Sequence, residues 1–179
     1  TEVAVISLGG IVTAQSVRVA GDELDDAITP YVKKDSSLAI GDRTAEEIQI
    51  QVGSAWPMEE ELTADIRGRD LVSGLPRTIQ LTTEHVREAL AEAVGAIIYA
   101  VKTTLDKTPP ELAADIMEDG IMLTGGGALL GGLSERLAHE NGIPIRSAEE
   151  PLYSVVIGSG RALENIDALR GLMSLGGDD

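Results

Sequence analysis

Gly120-Ile121-Met122-Leu123-Thr124-Gly125-Gly126-Gly127-Ala128-Leu129-Leu130 runs an apolar stretch of strand length into three consecutive glycines. Leucines then return at helical spacing, at Leu129, Leu130, Leu133 and Leu137. Glycines at a strand-to-helix turn remove every Cβ where the backbone bends, so a ligand can touch bare main chain there. A helix starting at that corner aims its free N–H groups, and the positive end of its dipole, at the same spot. Such a corner suits a phosphate, or a nucleoside lying flat on the backbone. Spacing alone leaves a second reading open, a tight connection that needs small residues only for packing. The stretch is neither a P-loop, which would carry a Lys-Ser/Thr pair, nor a G-x-G-x-x-G turn.

Composition narrows the field. The 179 residues suffice for one domain, or a domain plus a subdomain, with a real core. There is no cysteine, which excludes disulfides, thiolate metal sites and cysteine nucleophiles and fits a cytoplasmic setting. Thirty acidic residues against fourteen basic ones give a net charge of −16, which repels nucleic acid and anionic lipid. Phe is absent and aromatics are 2% of the chain, so no stacking platform for single strands is available. No apolar run is long enough to span a membrane. His85 and His139 sit apart in helical contexts and read as solvated surface residues, not ligands. The chain opens on Thr1-Glu2-Val3, already inside a strand pattern, and reads as a piece of a longer protein.

The order of elements is α/β. Glu2 to Leu8 and Ile11 to Val19 are β-rich runs joined by Gly9-Gly10, a hairpin signal. A helix is expected from Asp22 as N-cap, with Leu24, Ile28, Tyr31 and Val32 on one face. Thr44-Ala45-Glu46-Glu47 has the form of a capping box opening a short helix to Val52, stopped by Gly53. Trp56 to Leu81 reads as a small β-rich excursion whose turn, at Arg67–Asp70, joins mostly solvated strands. Thr82 or Thr83 caps the longest helix, with the stripe Val86, Leu90, Val94, Ile97, Ile98, Val101 and Leu105 facing the core.

Thr108-Pro109-Pro110-Glu111 reads as a second capping box with proline at the first helical position, opening a helix that stops near Gly120. After the glycine corner come a helix to Asn141, a stop at Gly142, and a strand from Ile143 to Arg146. Pro151 opens a last helix carrying Val155, Val156, Leu163 and Ile166, and the tail from Ser174 to Asp179 is expected to be disordered. The capped helix at Thr44 and the glycine corner can form two walls of one cleft. By themselves Glu46 and Glu47 read as complements of the helix dipole.

Several of these segments carry a family resemblance. Thr1-Glu2-Val3-Ala4-Val5-Ile6-Ser7-Leu8-Gly9-Gly10-Ile11-Val12 resembles the continuation of the second phosphate loop in the actin, Hsp70 and sugar-kinase superfamily. Arg18-Val19-Ala20-Gly21-Asp22-Glu23-Leu24-Asp25 resembles the matching turn of actin, and Leu123-Thr124-Gly125-Gly126-Gly127-Ala128 the superfamily's adenosine motif. Arg67-Gly68-Arg69-Asp70-Leu71-Val72-Ser73-Gly74-Leu75-Pro76 and Lys107-Thr108-Pro109-Pro110-Glu111-Leu112-Ala113-Ala114-Asp115-Ile116 are similar to the MreB-type bacterial actins almost word for word. The resemblance covers essentially the whole chain and identifies it as the C-terminal half of an MreB-type protein.

The resemblance implies an actin-like, ribonuclease H-like ATPase lobe: a mixed sheet flanked by helices, with a small α+β subdomain inserted. Residues 1–21 and 83–179 would form the large subdomain and residues 22–82 the small one, with the N-terminal lobe outside this chain. ATP or ADP with Mg²⁺ would bind between the lobes. Gly125, Gly126, Gly127, Ala128 and Leu129 would line the adenosine side, and Glu46, Glu47, Ile48 and Gln49 the other face of base and ribose. The family usually has lysine where Gln49 stands. Thr1, the last remnant of the phosphate loop, would position the attacking water or the γ-phosphate; no metal ligand is expected here. Implied partners are further copies of the chain in filaments, proteins of cell-wall synthesis and the rod complex, and the inner face of the membrane through the absent half. Nucleic acid is not among them. Hydrolysis in such proteins is slow and regulatory. A sugar kinase or Hsp70-like ATPase of the same superfamily is the alternative, but no acceptor cluster is visible, nor text for a downstream β-sandwich.

Overall fold

The computed structural model describes residues 1–165. Thirteen elements follow in order: β1 (Glu2–Ser7), β2 (Gly10–Ser16), α1 (Gly21–Ser36), β3 (Leu38–Ala39), α2 (Asp42–Val52), β4 (Thr63–Asp70), β5 (Pro76–Thr82), α3 (Thr83–Asp106), α4 (Pro110–Asp119), β6 (Ile121–Leu123), α5 (Leu133–Asn141), β7 (Ile145–Ser147) and α6 (Ser154–Glu164). Short 3₁₀ turns lie at Gly126–Leu129 and Pro151–Tyr153. The expectations for Ile166 and for the tail from Ser174 fall outside the described residues.

β1 and β2 form the expected antiparallel hairpin, but its turn is Leu8-Gly9, closed by the pair Ser7–Gly10. Both turn residues have positive φ, 51° at Leu8 and 79° at Gly9, as a two-residue turn between twisted strands requires. β6 and β7 pair in parallel, and β3-β4-β5 make an antiparallel sheet. Among the described residues no ladder joins the β1–β2 hairpin to β6–β7. The two meet through side chains instead, Val3 from one and Ile121, Leu123 and Ile145 from the other packing on the same core.

α3 runs through the middle. Thr82 is its N-cap, accepting from the His85 N–H, while His85 Nδ1 accepts from the Thr82 N–H at 3.2 Å. His85 is therefore part of a capping box and not a free surface residue. The stripe Val86, Leu90, Val94, Ile97, Ile98 and Val101 is buried, with Leu105 packed at its edge. One continuous core joins it to Leu24, Ile28 and Val32 of α1, Ile48 and Val52 of α2, and Leu133 and Leu137 of α5. Each such side chain contributes about 1.5–3 kcal/mol of burial.

The last helix starts at Ser154, behind a 3₁₀ turn at Pro151–Tyr153, and not at Pro151, and the ends of α1, α2 and α4 are closed by other groups than the sequence suggests. α1 is capped at Ala20, not Asp22, because the Glu23 carboxylate reaches back to the Ala20 N–H at 2.8 Å. α2 begins at Asp42 behind Gly41, whose carbonyl accepts from Thr44 and Ala45, so Thr44 lies inside the first turn. Pro110 does take the first position of α4, but the Thr108 hydroxyl donates to the Thr104 carbonyl and caps nothing.

The turn expected at Arg67–Asp70 is strand. The loop lies at residues 71–75, because Asp70 closes it. Asp70 Oδ1 accepts from the N–H groups of Val72 (2.9 Å) and Ser73 (2.7 Å), and Oδ2 from Arg77 Nη1 (2.8 Å). β5 is mostly solvated, as expected, while β4 alternates, with Ala64, Ile66 and Asp70 facing inward. The strand after Gly142 starts at Ile145, two residues later than the sequence suggests.

Candidate functional site

The glycine corner is tighter than the sequence implies. β6 ends at Leu123, Gly125 takes φ 85° and ψ 173°, and residues Gly126–Leu129 make a single 3₁₀ turn. The α-helix begins only at Leu133, so its N-terminal amides are not at the glycines. Competing bonds explain the break: Ala128 N–H goes to Gly125 O and Leu130 N–H to Gly127 O, both 3.1 Å, while Leu130 turns extended to bury its side chain. The corner is anchored on the Pro151 carbonyl, which accepts from Gly125 N–H (2.8 Å) and from the Thr124 hydroxyl (3.2 Å).

What the corner offers a ligand is bare main chain. A Cβ added at Gly125 or Gly127 meets nothing within 4 Å, and one at Gly126 meets only Leu152 Cδ2 at 3.4 Å. Gly125 sits in backbone territory open essentially to glycine alone. Ala128 is half-buried and Leu129 exposed, so the apolar stripe proposed from the sequence starts at Leu130.

The α2 residues divide between two faces, because successive helix positions are about 100° apart. Glu46 and Gln49 share one face. Burial, followed by the charges of Glu46, Asp22 and Asp26, pushes the Asp25 carboxyl up, which places Glu46 on the side toward α1. Glu47 and Ile48 instead line a groove of about 370 Å³ with Thr44, Gln51, Asp65 and Arg67. Glu47 is bonded there to Arg43 Nε at 3.0 Å, and the Ile48 side chain is 2% exposed and belongs to the core.

The two segments meet behind the turn. Ala55 N–H donates to Gly131 O at 2.7 Å, Ser54 and Gly131 form a parallel bridge, and a Cβ on Gly53 would lie 3.1 Å from Leu130 Cδ1. From this seam Glu46 lies about 9 Å back along α2. Sequence reasoning passed over the seam, although a second glycine pair, Gly131-Gly132, was its signal. His139 is exposed, as the sequence suggests, and its ring also meets that of Trp56 at a tilt of 41° with centroids 4.7 Å apart. Thr1 lies at the start of the hairpin, its carbonyl accepting from Val17 N–H at 2.9 Å and its hydroxyl donating to Val19 O.

Among the described residues no helix is long and apolar enough to cross a membrane. The described residues also contain no cluster of three or more His, Cys, Asp or Glu side chains able to hold a metal ion.

Comparison with known proteins gives a consistent picture. The family described as MreB/Mbl protein matches residues 1–171. The cell shape-determining protein Mbl of Bacillus subtilis is 50% identical over 169 residues, covering 94% of this chain and 51% of the relative. The cell shape-determining protein MreB of Escherichia coli is 49% identical over 167 residues, covering 93% and 48%. The crystal structure of MreB5 of Spiroplasma citri bound to ADP superposes with a TM-score of 0.89 at 37% identity, over 92% of this chain and 50% of that one. Its AMPPNP-bound form gives the same TM-score at 36% identity, over 93% and 50%. The chain thus spans about half the length of the relatives it matches. In sequence and in its actin-like fold, it belongs to the MreB/Mbl family.

Proposed function

We propose that this chain is the second, adenosine-side lobe of an ATP-binding, filament-forming cell shape-determining protein. The observation that carries the reading is the glycine turn. It presents bare backbone at Gly125 and Gly127, tied at its back to the segment that follows helix α2, in a chain whose relative MreB5 was crystallised with ADP and AMPPNP. Residues 1–21 and 83–179 are then the larger subdomain and residues 22–82 the smaller.

In this reading Gly125–Leu129 hold one face of the adenosine, through main chain. Glu46 and Gln49 hold the ribose and base from α2, while Glu47 and Ile48 support that helix by their ion pair and core packing. The bound nucleotide supplies the phosphate chain. Mg²⁺ would be held by phosphate oxygens and by residues outside this chain. Thr1 would serve the phosphates, its hydroxyl positioning water or the γ-phosphate once it exchanges its bond to Val19 O. Slow hydrolysis then regulates assembly, since ATP and ADP differ in their contacts with open and closed states.

Assembly has its own support. Leu71, Val72 and Leu75 are 40%, 88% and 65% exposed on the Asp70-braced loop, beside the exposed Arg67 and Arg69. α4 offers the complementary surface: it buries no residue, leaves Met117 64% exposed and carries Glu111, Asp115, Glu118 and Asp119. Two different patches of opposite character on one chain give a head-to-tail contact that need not close on itself, hence filaments. Filaments at the inner face of the membrane, anchored through the other half of the protein, would guide cell-wall synthesis and rod shape with their partner proteins.

Calorimetric titration of ADP into the full-length protein tests the nucleotide reading, and absence of binding overturns it. Reversing Arg67 and Arg69 to Glu together should reduce filament pelleting in ATP. Arg77, the basic residue on the β5 side of the loop, is unsuitable because it braces Asp70. Unchanged sedimentation of a folded variant places the contact elsewhere.

A further inference from the structure

We infer that the seam between residues 53–56 and 130–132 is the positioning element of the nucleotide site, with Gly132 and Trp56 as its positioning residues. The inference rests on the adenosine-side reading above. The two walls of that site come from segments more than seventy residues apart in the chain, Glu46–Gln49 and Gly125–Leu129. The main-chain link between residues 42–56 and residues 124–132 is the parallel bridge Ser54–Gly131, in which Ala55 N–H donates to Gly131 O at 2.7 Å.

The seam leaves no slack. Gly132 has φ 70°, and a Cβ there would fall 2.6 Å from Trp56 Cβ, 3.0 Å from Trp56 N and 3.2 Å from Trp56 Cα. A Cβ on Gly131 would lie 3.1 Å from Gly53 O. The Trp56 backbone is braced. Its carbonyl accepts from the hydroxyl of the fully buried Ser54 and from Arg87 Nη1 at 3.1 Å, and Arg87 Nη2 is held by Glu61 at 2.7 Å. The Trp56 ring meets that of His139 at a tilt of 41° and faces the Arg136 guanidinium at 5.8 Å.

A side chain at residue 132 therefore moves residues 130–132 instead. That motion reaches the glycine turn directly, because Leu130 N–H is bonded to Gly127 O at 3.1 Å. Binding constellations are held to about 0.5 Å by such supporting shells. The seam thus fixes how far the turn stands from the Glu46–Gln49 face without touching the nucleotide.

The test uses the full-length protein, with ADP and adenosine titrated separately. Gly132→Val should raise both dissociation constants by the same factor, about tenfold or more, the scale on which supporting contacts act. Positioning also predicts non-additivity. With Gln49→Ala already in place, adding Gly132→Val should cost less than about threefold, because one wall has already lost its contact. An effect that is fully additive, or a Gly132→Val protein that binds both ligands like wild type, overturns the inference. If Gly132→Val does not fold by circular dichroism, Arg87→Met, which removes one of the two donors to the Trp56 carbonyl, decides by the same two criteria. Loss of ADP binding in Gly127→Val with a neutral Gly132→Val sinks the seam alone. A wild-type protein that binds no ADP sinks the nucleotide reading and the seam with it.

Discussion

Gly125 and Gly127 look alike in the sequence, but substitution should affect them in opposite ways. At Gly125 the backbone sits at φ 85° and ψ 173°, while an added Cβ would meet no atom within 4 Å. The penalty for Gly125→Ala is therefore purely conformational, about 1–3 kcal/mol for holding an L-residue in that region. If the turn relaxes, the 2.8 Å bond from Gly125 N–H to Pro151 O goes too, a further loss of about 0.5–1.5 kcal/mol. For a chain of this size 1 kcal/mol moves the melting midpoint by about 2–4 °C, so the first term alone lowers it by about 2–12 °C. Gly127 has no positive φ and the same open space. Gly127→Val should thus cost the fold less than about 0.5 kcal/mol. Its methyl groups, however, enter the volume assigned to the adenosine, and ADP affinity should fall at least about tenfold, which is about 1.4 kcal/mol. Thermal melts of the chain and calorimetric titration of the full-length protein separate the two effects. An unchanged midpoint for Gly125→Ala, or unchanged ADP affinity for a folded Gly127→Val, would refute the reasoning.

The loop at residues 71–75 should be acid-sensitive. The Ser73 N–H, then Arg77 and the Ser73 hydroxyl, hold the Asp70 carboxyl well below the usual carboxylate range, against an opposing effect of burial. Its folded pKa lies below the unfolded value of about 3.9, so this stabilisation is present above about pH 4 and fades as pH falls toward the folded value. The protection of the Val72 and Ser73 amides, measured against their intrinsic exchange rates, should fall below about pH 4, and Asp70→Asn should remove that pH dependence; protection that stays flat in the wild type would exclude the mechanism. Phosphate release by this chain alone should stay near background while the full-length protein turns over slowly, because losing even one preorganised electrostatic contact costs about 2.7–4 kcal/mol in the transition state. Robust release by the chain alone would point to an autonomous enzyme.

Wherever one chemical signal dominated, the elements were legible in advance. The 3.6-residue spacing from Val86 to Leu105 identified α3 and its buried face, and alternation around paired glycines identified the β1–β2 hairpin. Two kinds of departure stand out. Some concerned which of several equally suitable groups closes an end. Ala20 and Gly41 are caps although Asp22 and Thr44 stood nearby, since a side chain or carbonyl a few residues away satisfied the same amides. The others concerned turns, where Asp70 moved a loop by drawing three donors and an arginine to itself.

The candidate site was legible as parts. Bare backbone at Gly125–Gly127 follows from composition alone, and so does a helix carrying Glu46 and Gln49. Their mutual placement did not follow, because it rests on a main-chain approach between Gly53–Trp56 and Leu130–Gly132 that no local periodicity encodes.

By itself the sequence determined the order of elements, the core stripes and the family, because these depend on local propensity, apolar spacing and motif text that need no partner in space. Only the tertiary structure decided which side of α2 faces α1 and which faces the groove, that the three glycines close a 3₁₀ turn and not a helix, and that Trp56 locks against Gly132. Those outcomes follow from packing and excluded volume between segments distant in the chain, and excluded volume acts only once the chain has folded.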